Sequence, residues 1–321
     1  MIAATHQHPA YRVGSREFVV AAAEPVTPEV RHLVLMPRDG GPVAPYQAGS
    51  HVVVDTAAGR NAYSLTGDGS TPDRYEISVL RCRDGGGSAW IHDELAPGSV
   101  VTIEGPRAMF APRYDQRHAL LVAGGIGITP ILSHARYLAR WGGTAEIIYS
   151  YRPGAAAHLN EIRDAGFPVH EATTVARTRE LLAERFADQP LGTHAYACGP
   201  AAMLETYREL GLAAGWPESR LHLERFQLAD LDPGEPFTAT VRSTGARVAV
   251  AAGTSLLDAL SEAGVAVASM CRQGVCGECR VGVASAASLD HRDAVLTPAE
   301  RDAADSIMCC VSRGTDVEVD L

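Results

Sequence analysis

Nine residues near the end of the chain restrict its fold more than any other feature. They read Cys271-Arg272-Gln273-Gly274-Val275-Cys276-Gly277-Glu278-Cys279, a C-x4-C-x2-C spacing. Three thiolates so arranged wrap one side of a [2Fe–2S] cluster, and a fourth cysteine has to follow later in the chain. Gly274 and Gly277 let the backbone pass close and turn N–H groups toward the sulfides. Zinc is the competing metal, but its sites draw on paired C-x2-C knuckles or Cys/His pairs, and the chain has one such pair. Of the 7 cysteines, Cys82 and Cys198 lie far upstream, whereas Cys309 and Cys310 follow the motif as adjacent candidates for the fourth ligand. Clustered cysteines in a chain without a secretory leader point to metal or redox work, not to a disulfide framework.

Composition removes several function classes. The 321 residues suffice for two or three domains. Net charge is −10, which disfavours nucleic acid and anionic membrane as partners. All 28 basic residues are arginine, so neither a Schiff-base lysine nor a Walker-type phosphate loop is available. No apolar run reaches the length of a membrane span. The opening residues lack the charged-then-apolar pattern of a signal peptide, so a cytoplasmic location is expected.

Three regions differ in pattern. Residues 16–111 hold short alternating runs separated by turn clusters, which predicts an antiparallel barrel or sandwich. Residues 117–228 alternate buried apolar strands with helical stretches, the signature of βαβ units on a parallel sheet. Residues 228–236 are acidic and carry Pro and Gly, as a linker would. A hairpin-like pair of strands follows, then a short helix capped by Thr254 or Ser255.

Two glycine-rich turns stand in the middle region. Gly124-Gly125-Ile126-Gly127-Ile128-Thr129-Pro130 follows a strand and opens a helix, a setting in which a pyrophosphate can approach the helix N-terminus. Thr129 is predicted as N-cap and Pro130 as the first helical residue. Tyr196-Ala197-Cys198-Gly199-Pro200 ends a later strand. In the first region, Asp84-Gly85-Gly86-Gly87-Ser88 leads into a helix and offers free N–H donors to a phosphate. The competing reading of each is an ordinary glycine turn, with Cys198 as a core residue.

The cysteine-rich region resembles plant-type ferredoxins, and more closely the C-terminal domain of phthalate dioxygenase reductase-like proteins. Ile307-Met308-Cys309-Cys310-Val311-Ser312-Arg313 matches the stretch around that family's last ligand. The resemblance implies Cys271, Cys276, Cys279 and Cys310 as the metal ligands, with Cys309 in an apolar position. Asp290-His291-Arg292-Asp293 also resembles the family, and His291 is read as part of a charged surface turn. The two glycine turns resemble the nucleotide domain of the ferredoxin–NADP reductase superfamily. The resemblance implies pyridine-nucleotide contacts from Gly125, Gly127, Thr129, Cys198, Gly199 and Pro200, with Cys198 beside the nicotinamide. Arg60-Asn61-Ala62-Tyr63-Ser64-Leu65 resembles the superfamily's Arg-x-Tyr-Ser flavin motif with one extra residue. Tyr63 then lies along the isoalloxazine and Ser64 near its N5. Arg60 meets the phosphate if a local bulge restores its direction; otherwise Asn61 fills the slot. Gly86, Gly87 and Ser88 would take the phosphate of FMN. His222 and Glu224 to Phe226 resemble the end of the nucleotide domain.

The resemblance covers almost the whole chain. It implies a flavin-binding antiparallel β-barrel over 1–112, an α/β parallel-sheet nucleotide domain over 113–228, and a β-grasp α+β [2Fe–2S] ferredoxin domain over 229–321. The expected activity is an oxidoreductase that moves electrons from a nicotinamide through flavin to the cluster and on to a Rieske-type oxygenase. Ser64 and Cys198 stand where the hydride passes. A cytochrome P450 or another acceptor is the alternative partner, and a non-enzymatic carrier a third reading. FMN is expected over FAD, because no aromatic tail follows the nucleotide domain to cover an adenine. NADH is expected over NADPH, because Arg152 alone follows the second nucleotide strand. A monomer is expected.

Overall fold

The computed structural model describes residues 14–57, 59–82, 86–226, 231–269, 272–275 and 277–321. The chain divides into two compact units, Met1–Glu224 and Arg225–Leu321.

The first unit opens with six antiparallel strands: β1 (Ser15–Thr27), β2 (Val30–Pro37), β3 (Ser50–Thr56), β4 (Gly59–Ser64), β5 (Tyr75–Leu80) and β6 (Val100–Ala108). They pair in the order β4-β3-β6-β1-β2-β5. The sheet curls until the residue after β4, Leu65, bridges Ile77 of β5, so its two edges meet. Alternation sends Phe18, Val20, Leu33, Leu35, Val52, Val54 and Ile103 into one core. Helix α1 (Gly87–Glu94) adds Ile91 to that core. Arg31 donates to the carbonyls of Ile91 and His92 at 3.2 and 2.9 Å, closing the C-terminal end of the helix.

The second half of this unit is a parallel sheet of β7 (His118–Gly124), β8 (Ala145–Ser150), β9 (Val169–Ala172), β10 (Thr193–Cys198) and β11 (Leu221–Glu224), ordered β11-β10-β7-β8-β9. Every residue of β10 is buried, as expected of a parallel strand covered on both faces. Helices α2 (Ile128–Arg140), α3 (Leu159–Asp164), α4 (Val175–Ala187) and α5 (Ala201–Ala213) connect the strands. β9 and α4 fall in a stretch that the sequence reading left without elements. The helix start also differs from expectation. A 3-10 turn over Gly125–Gly127 runs directly into α2 with Gly127 as cap. Thr129 is therefore inside the helix, and its hydroxyl donates to the Ile126 carbonyl at 3.1 Å.

Polar contacts knit the two halves of this unit. Ser133 of α2 donates to the Gly67 carbonyl at 2.6 Å and accepts from the Gly49 N–H at 3.3 Å. Arg136 donates to the Thr66 carbonyl at 3.0 Å. His32 of β2 and Ser78 of β5 meet at 2.8 Å, Ser78 meets His158 at 2.7 Å, and His158 meets Glu161 at 2.7 Å. A column of rings runs through the same region: Phe110 against His134, His134 against Tyr196, Tyr196 against His222, and His222 against His194.

The second unit pairs β12 (Phe237–Val241), β13 (Ala246–Val250), β14 (Arg280–Ser285), β16 (Ser306–Met308) and β18 (Val317–Asp320) in the order β13-β12-β18-β14-β16, while β15 (Ser288–Asp290) pairs with β17 (Arg313–Thr315). Helix α6 (Leu256–Glu262) buries Leu256, Leu257 and Leu260 against this sheet. Ser255, one of the two predicted caps, accepts from the Asp258 N–H at 3.0 Å. Helix α7 (Pro298–Ala303) begins with a capping box between Thr297 and Glu300. Residues 231–236 carry no regular structure, in keeping with a linker.

Three imidazoles in the first unit, His51 and His134 buried and His222 half-buried, are held toward their neutral form. Burial, with Arg107 adding to it at His51 and His194 at His222, holds His51, His134 and His222 down to about 4. The unfolded chain takes up protons near 6.5 whereas the fold resists them, so stability is lost as pH falls through that interval. We predict a urea midpoint that is steady above about pH 7.5 and falls progressively toward about pH 5. A midpoint flat across that range would contradict the neutral burial.

Candidate active site

Strand β4 carries Arg60 and Asn61 on opposite faces. β3 and β4 pair without a register shift, Val54 opposite Asn61, Val52 opposite Tyr63 and His51 opposite Ser64. With no bulge, side chains alternate strictly, so Asn61 and Tyr63 share one face while Arg60 and Ser64 share the other. Arg60 is engaged on its own face by Asp55, at 3.1 Å, and by Glu104. Asn61 instead reaches the first turn of α1: a Cβ added to Gly87 would sit 2.0 Å from its Nδ2 and 3.0 Å from Thr56 Oγ1. The helix start thus packs closely against Asn61 at Gly87. Gly86 caps the helix with φ 95, a conformation that favours glycine. Ser88 is the second helical residue, and its hydroxyl accepts from the Cys82 N–H at 3.2 Å. Asp84 and Gly85 lie outside the described residues.

The result is a polar cradle. The first-turn N–H groups of α1 and the Asn61 amide converge where the helix dipole favours an anion. Tyr63 lies on the same face of β4, and burial pushes its phenol up. Ser64 is buried. Its cross-strand neighbour His51 has a buried Nε2 with no hydrogen-bond partner among the described residues. The sequence reading passed over Thr56 and His51, because neither belongs to a motif and only the strand register brings them to these positions.

The nucleotide turns meet at the point where the parallel sheet reverses its order, between β7 and β10. A Cβ on Gly127 would lie 2.2 Å from the Cys198 carbonyl oxygen. One on Gly199 would lie 2.9 Å from Gly124 Cα and 2.5 Å from Met203 Cε. The two turns therefore pack backbone to backbone, with Gly125, Pro200 and buried Thr129 around them. Cys198 is fully buried, and burial followed by the charge of Glu224 holds its thiol well above the usual range. Glu224 is its register partner on β11. Burial pushes the Glu224 carboxyl up to about 8, and one of its oxygens has no partner among the described residues.

Of the four cysteines expected to hold the cluster, Cys271 and Cys276 lie outside the described residues. Cys279 and Cys310 are buried with their sulfurs 3.1 Å apart. That is well beyond a disulfide at roughly 2.05 Å. Two thiolates at about 2.3 Å from one tetrahedral metal would lie roughly 3.8 Å apart, so a small opening accommodates a shared iron. The Gly274 N–H donates to Cys310 Sγ at 3.2 Å, the kind of contact that stabilises a ligating thiolate. Cys309 is a member of the hydrophobic core, and its thiol is raised by burial and by Cys279. The Asp290-His291-Arg292-Asp293 segment corrects the surface-turn reading. Asp293 is buried and accepts from the Val295 and Leu296 N–H groups at 2.8 and 2.7 Å. Both ring nitrogens of His291 are buried without a partner among the described residues.

Comparison with known proteins completes the site. Residues 239–314 match the 2Fe-2S iron-sulfur cluster binding domain, and residues 105–221 match the dimethylamine monooxygenase subunit DmmA-like N-terminal domain. The chain is 38% identical over 300 residues to the heme-dependent oxidative N-demethylase beta subunit of Ectopseudomonas mendocina (strain ymp), covering 92% of this chain and 94% of that protein. It is 32% identical over 315 residues to phthalate dioxygenase reductase of Burkholderia cepacia, covering 94% and 95%. The solved phthalate dioxygenase reductase, described as a modular structure for electron transfer from pyridine nucleotides to [2Fe-2S], superposes with TM-score 0.78 at 31% identity, over 96% of this chain and 98% of that one. The chain belongs to the phthalate dioxygenase reductase-like family. It is an oxidoreductase, an oxygenase reductase component with a [2Fe–2S] domain.

Within this reductase two substitution pairs separate the assignments. Cys310→Ser should lose the visible absorption of the cluster, whereas Cys309→Ser should keep it; the reverse pattern would make Cys309 the ligand. Asn61→Ala should weaken retention of the flavin by roughly tenfold, about 1.4 kcal/mol for one lost hydrogen bond to a charged group. Arg60→Ala should change it less than threefold, within about 0.7 kcal/mol. Equilibrium dialysis of the deflavinated protein reads both, and a larger effect at Arg60 would refute the facial assignment.

Proposed function

We propose that the chain is an NADH-dependent reductase that passes electrons by way of FMN and its [2Fe–2S] cluster to a Rieske-type oxygenase component. The observation that carries this reading is the pairing, in one compact unit, of a helix N-terminus at α1 packed against Asn61 with glycine turns at a sheet switch point. The cluster domain follows in the same chain. A flavin, when bound, accepts a hydride and releases electrons singly to a one-electron carrier. Asn61 and the first turn of α1 hold its phosphate. Tyr63 lines the ring and Ser64 approaches its reactive edge. Gly125, Gly127, Gly199 and Pro200 let the dinucleotide approach the backbone. Cys198 packs beside the nicotinamide as a neutral thiol, and Glu224, protonated at neutral pH, holds a proton next to it.

The names of two similar proteins favour a second acceptor, a haem oxygenase. One is the heme-dependent demethylase subunit already described. The other is an intact type IV self-sufficient cytochrome P450 monooxygenase, with TM-score 0.74 at 34% identity, of which this chain matches 43%. Both readings place the protein in the cytoplasm as a monomer. No helix among the described residues is long and apolar enough to cross a membrane.

The test is reduction of the purified oxygenase encoded beside the gene, with NADH or NADPH as donor and the extracted flavin run against FMN and FAD standards. NADH, FMN and a Rieske spectrum on the acceptor are the expected results; NADPH preference, FAD or a haem acceptor each replaces the corresponding part. Residues 231–321 hold 13 acidic and 7 basic side chains, −6 of the total −10. Transfer to the oxygenase should therefore slow between about 0.1 and 1 M salt, as the Debye length falls from roughly 10 to 3 Å. Reduction of the flavin by NADH should change much less. A partner rate that is flat in salt would leave the acidic excess to solubility alone.

A further inference from the structure

A cavity of about 310 Å³ opens in the first unit between two tight turns. One wall is Thr27, Pro28 and Glu29; the other is Arg152, Pro153, Gly154 and Ala155. Both walls are turns closed by hydrogen bonds. Pro28 and Glu29 form the two-residue turn between β1 and β2, whose ends pair as Thr27 with Val30. Thr27 Oγ1 accepts from the Val30 N–H at 3.1 Å, and the Glu29 carbonyl accepts from the Arg81 N–H at 2.8 Å. The facing turn is closed by the Ala155 N–H donating to the Arg152 carbonyl at 2.9 Å, with Gly154 at φ 82. Proline before a left-handed glycine is the sequence such a turn demands. Across the opening, Arg152 and Glu29 approach to 3.4 Å.

This cavity lies at the carboxyl end of β8, the second strand of the parallel sheet in chain order. In sheets of this kind that edge receives the adenosine ribose, and the charge at the end of the second strand discriminates the two dinucleotides. A carboxylate there takes the free 2′-hydroxyl; an arginine accommodates the 2′-phosphate. β8 ends at Ser150, and Tyr151 and Arg152 follow, so the strand itself offers the cation without the carboxylate. The carboxylate comes from the barrel half. We infer that Glu29, held at the tip of the β1–β2 turn, sets cofactor preference by neutralising Arg152 and repelling a 2′-phosphate. This inference rests on the NADH reading above and names the residue responsible for it.

The distinction has a physical basis. An exposed ion pair contributes little to stability, and Arg152 is 82% exposed, so fold maintenance does not explain the geometry. A 2′-phosphate entering the cavity would meet a fixed like charge and a cation already engaged. A 2′-hydroxyl can donate to the same carboxylate. The effect is therefore one of selectivity between two ligands that differ in a single group.

The experiment compares wild type with Glu29→Gln, Glu29→Asp and the double variant Glu29→Gln with Arg152→Ala, each as the full flavin- and cluster-loaded protein. The readout is the ratio of kcat/KM for NADPH to that for NADH, together with competitive inhibition by 2′,5′-ADP and by 5′-AMP. Glu29→Gln should raise the ratio by about tenfold and tighten 2′,5′-ADP in parallel, with a smaller change for 5′-AMP. Glu29→Asp, which keeps the charge, should retain most of the wild-type preference. The double variant should lose the gain, because the freed guanidinium is what the phosphate would bind. A wild type that prefers NADPH would overturn the NADH reading and this inference with it. A wild type that prefers NADH while Glu29→Gln leaves both the ratio and 2′,5′-ADP inhibition unmoved would overturn the inference alone. A merely structural role for Glu29 would lower both cofactors' kcat/KM together and leave the ratio where it was.

Discussion

The first unit depends on the backbone contact between two turns at the switch point of its parallel sheet. Gly127 lies so close to the Cys198 carbonyl that no side chain fits between them. Because of that contact, α2 begins directly after the Gly125–Gly127 turn. Its buried face then lies where Ser133 and Arg136 reach the carbonyls of Gly67 and Thr66 on the barrel side. One short glycine sequence thus sets the helix entry, the helix entry sets the docking of the barrel, and the docking defines the crevice in which two ligands have to meet. A methyl group at Gly127 would push on every one of these steps at once.

The same logic explains the buried polar groups. Two halves that must keep one register need directional contacts, because apolar packing alone tolerates sliding. The His32–Ser78–His158–Glu161 chain and the Phe110–His134–Tyr196–His222 column supply such direction. Burial holds the imidazoles of His32, His134 and His222 below the usual range, toward the neutral form. A neutral imidazole can both donate and accept, which a charged one cannot. The acid sensitivity of the unit follows from the choice of histidine for this work.

The sequence made some of this legible and hid the rest for physical reasons. The cysteine spacing and the two glycine turns were readable because each is a local device: the residues that matter are neighbours in the chain. The antiparallel and parallel regions were readable from period alone. Arg60 against Asn61 was not, because the answer depends on whether β3 and β4 pair with a bulge, which no single strand records. The cap at Thr129 was misplaced for a related reason: the 3-10 turn before α2 adds helical residues that no cap residue announces. β9 and α4 went unread since β9 spans four residues and α4 presents a charged face. Glu29 was invisible from sequence altogether. It lies 123 positions from Arg152, and only the folded barrel brings the pair together.

Under the function proposed above, the division of the chain into two units matches the difference between its two kinds of transfer. A hydride is an atom and two electrons, and it moves only when donor and acceptor are within roughly 3–3.5 Å and aligned. That demand explains why the barrel and the parallel sheet form one unit with shared buried hydrogen bonds, when each has its own sheet and core. A single electron carries no nuclear geometry with it, so the cluster domain is free of that demand. It accordingly has a closed core of its own, from Ala239 to Val319, and follows a stretch without regular structure over 231–236. Its polar anchors are internal as well: Arg313 donates to the carbonyls of Glu235, Ala251 and Thr254, and Asp293 holds the turn before α7. Each unit therefore keeps its own core and its own polar anchors. Relatives that share this order of domains carry the names of both dioxygenase and haem systems, as that independence would allow.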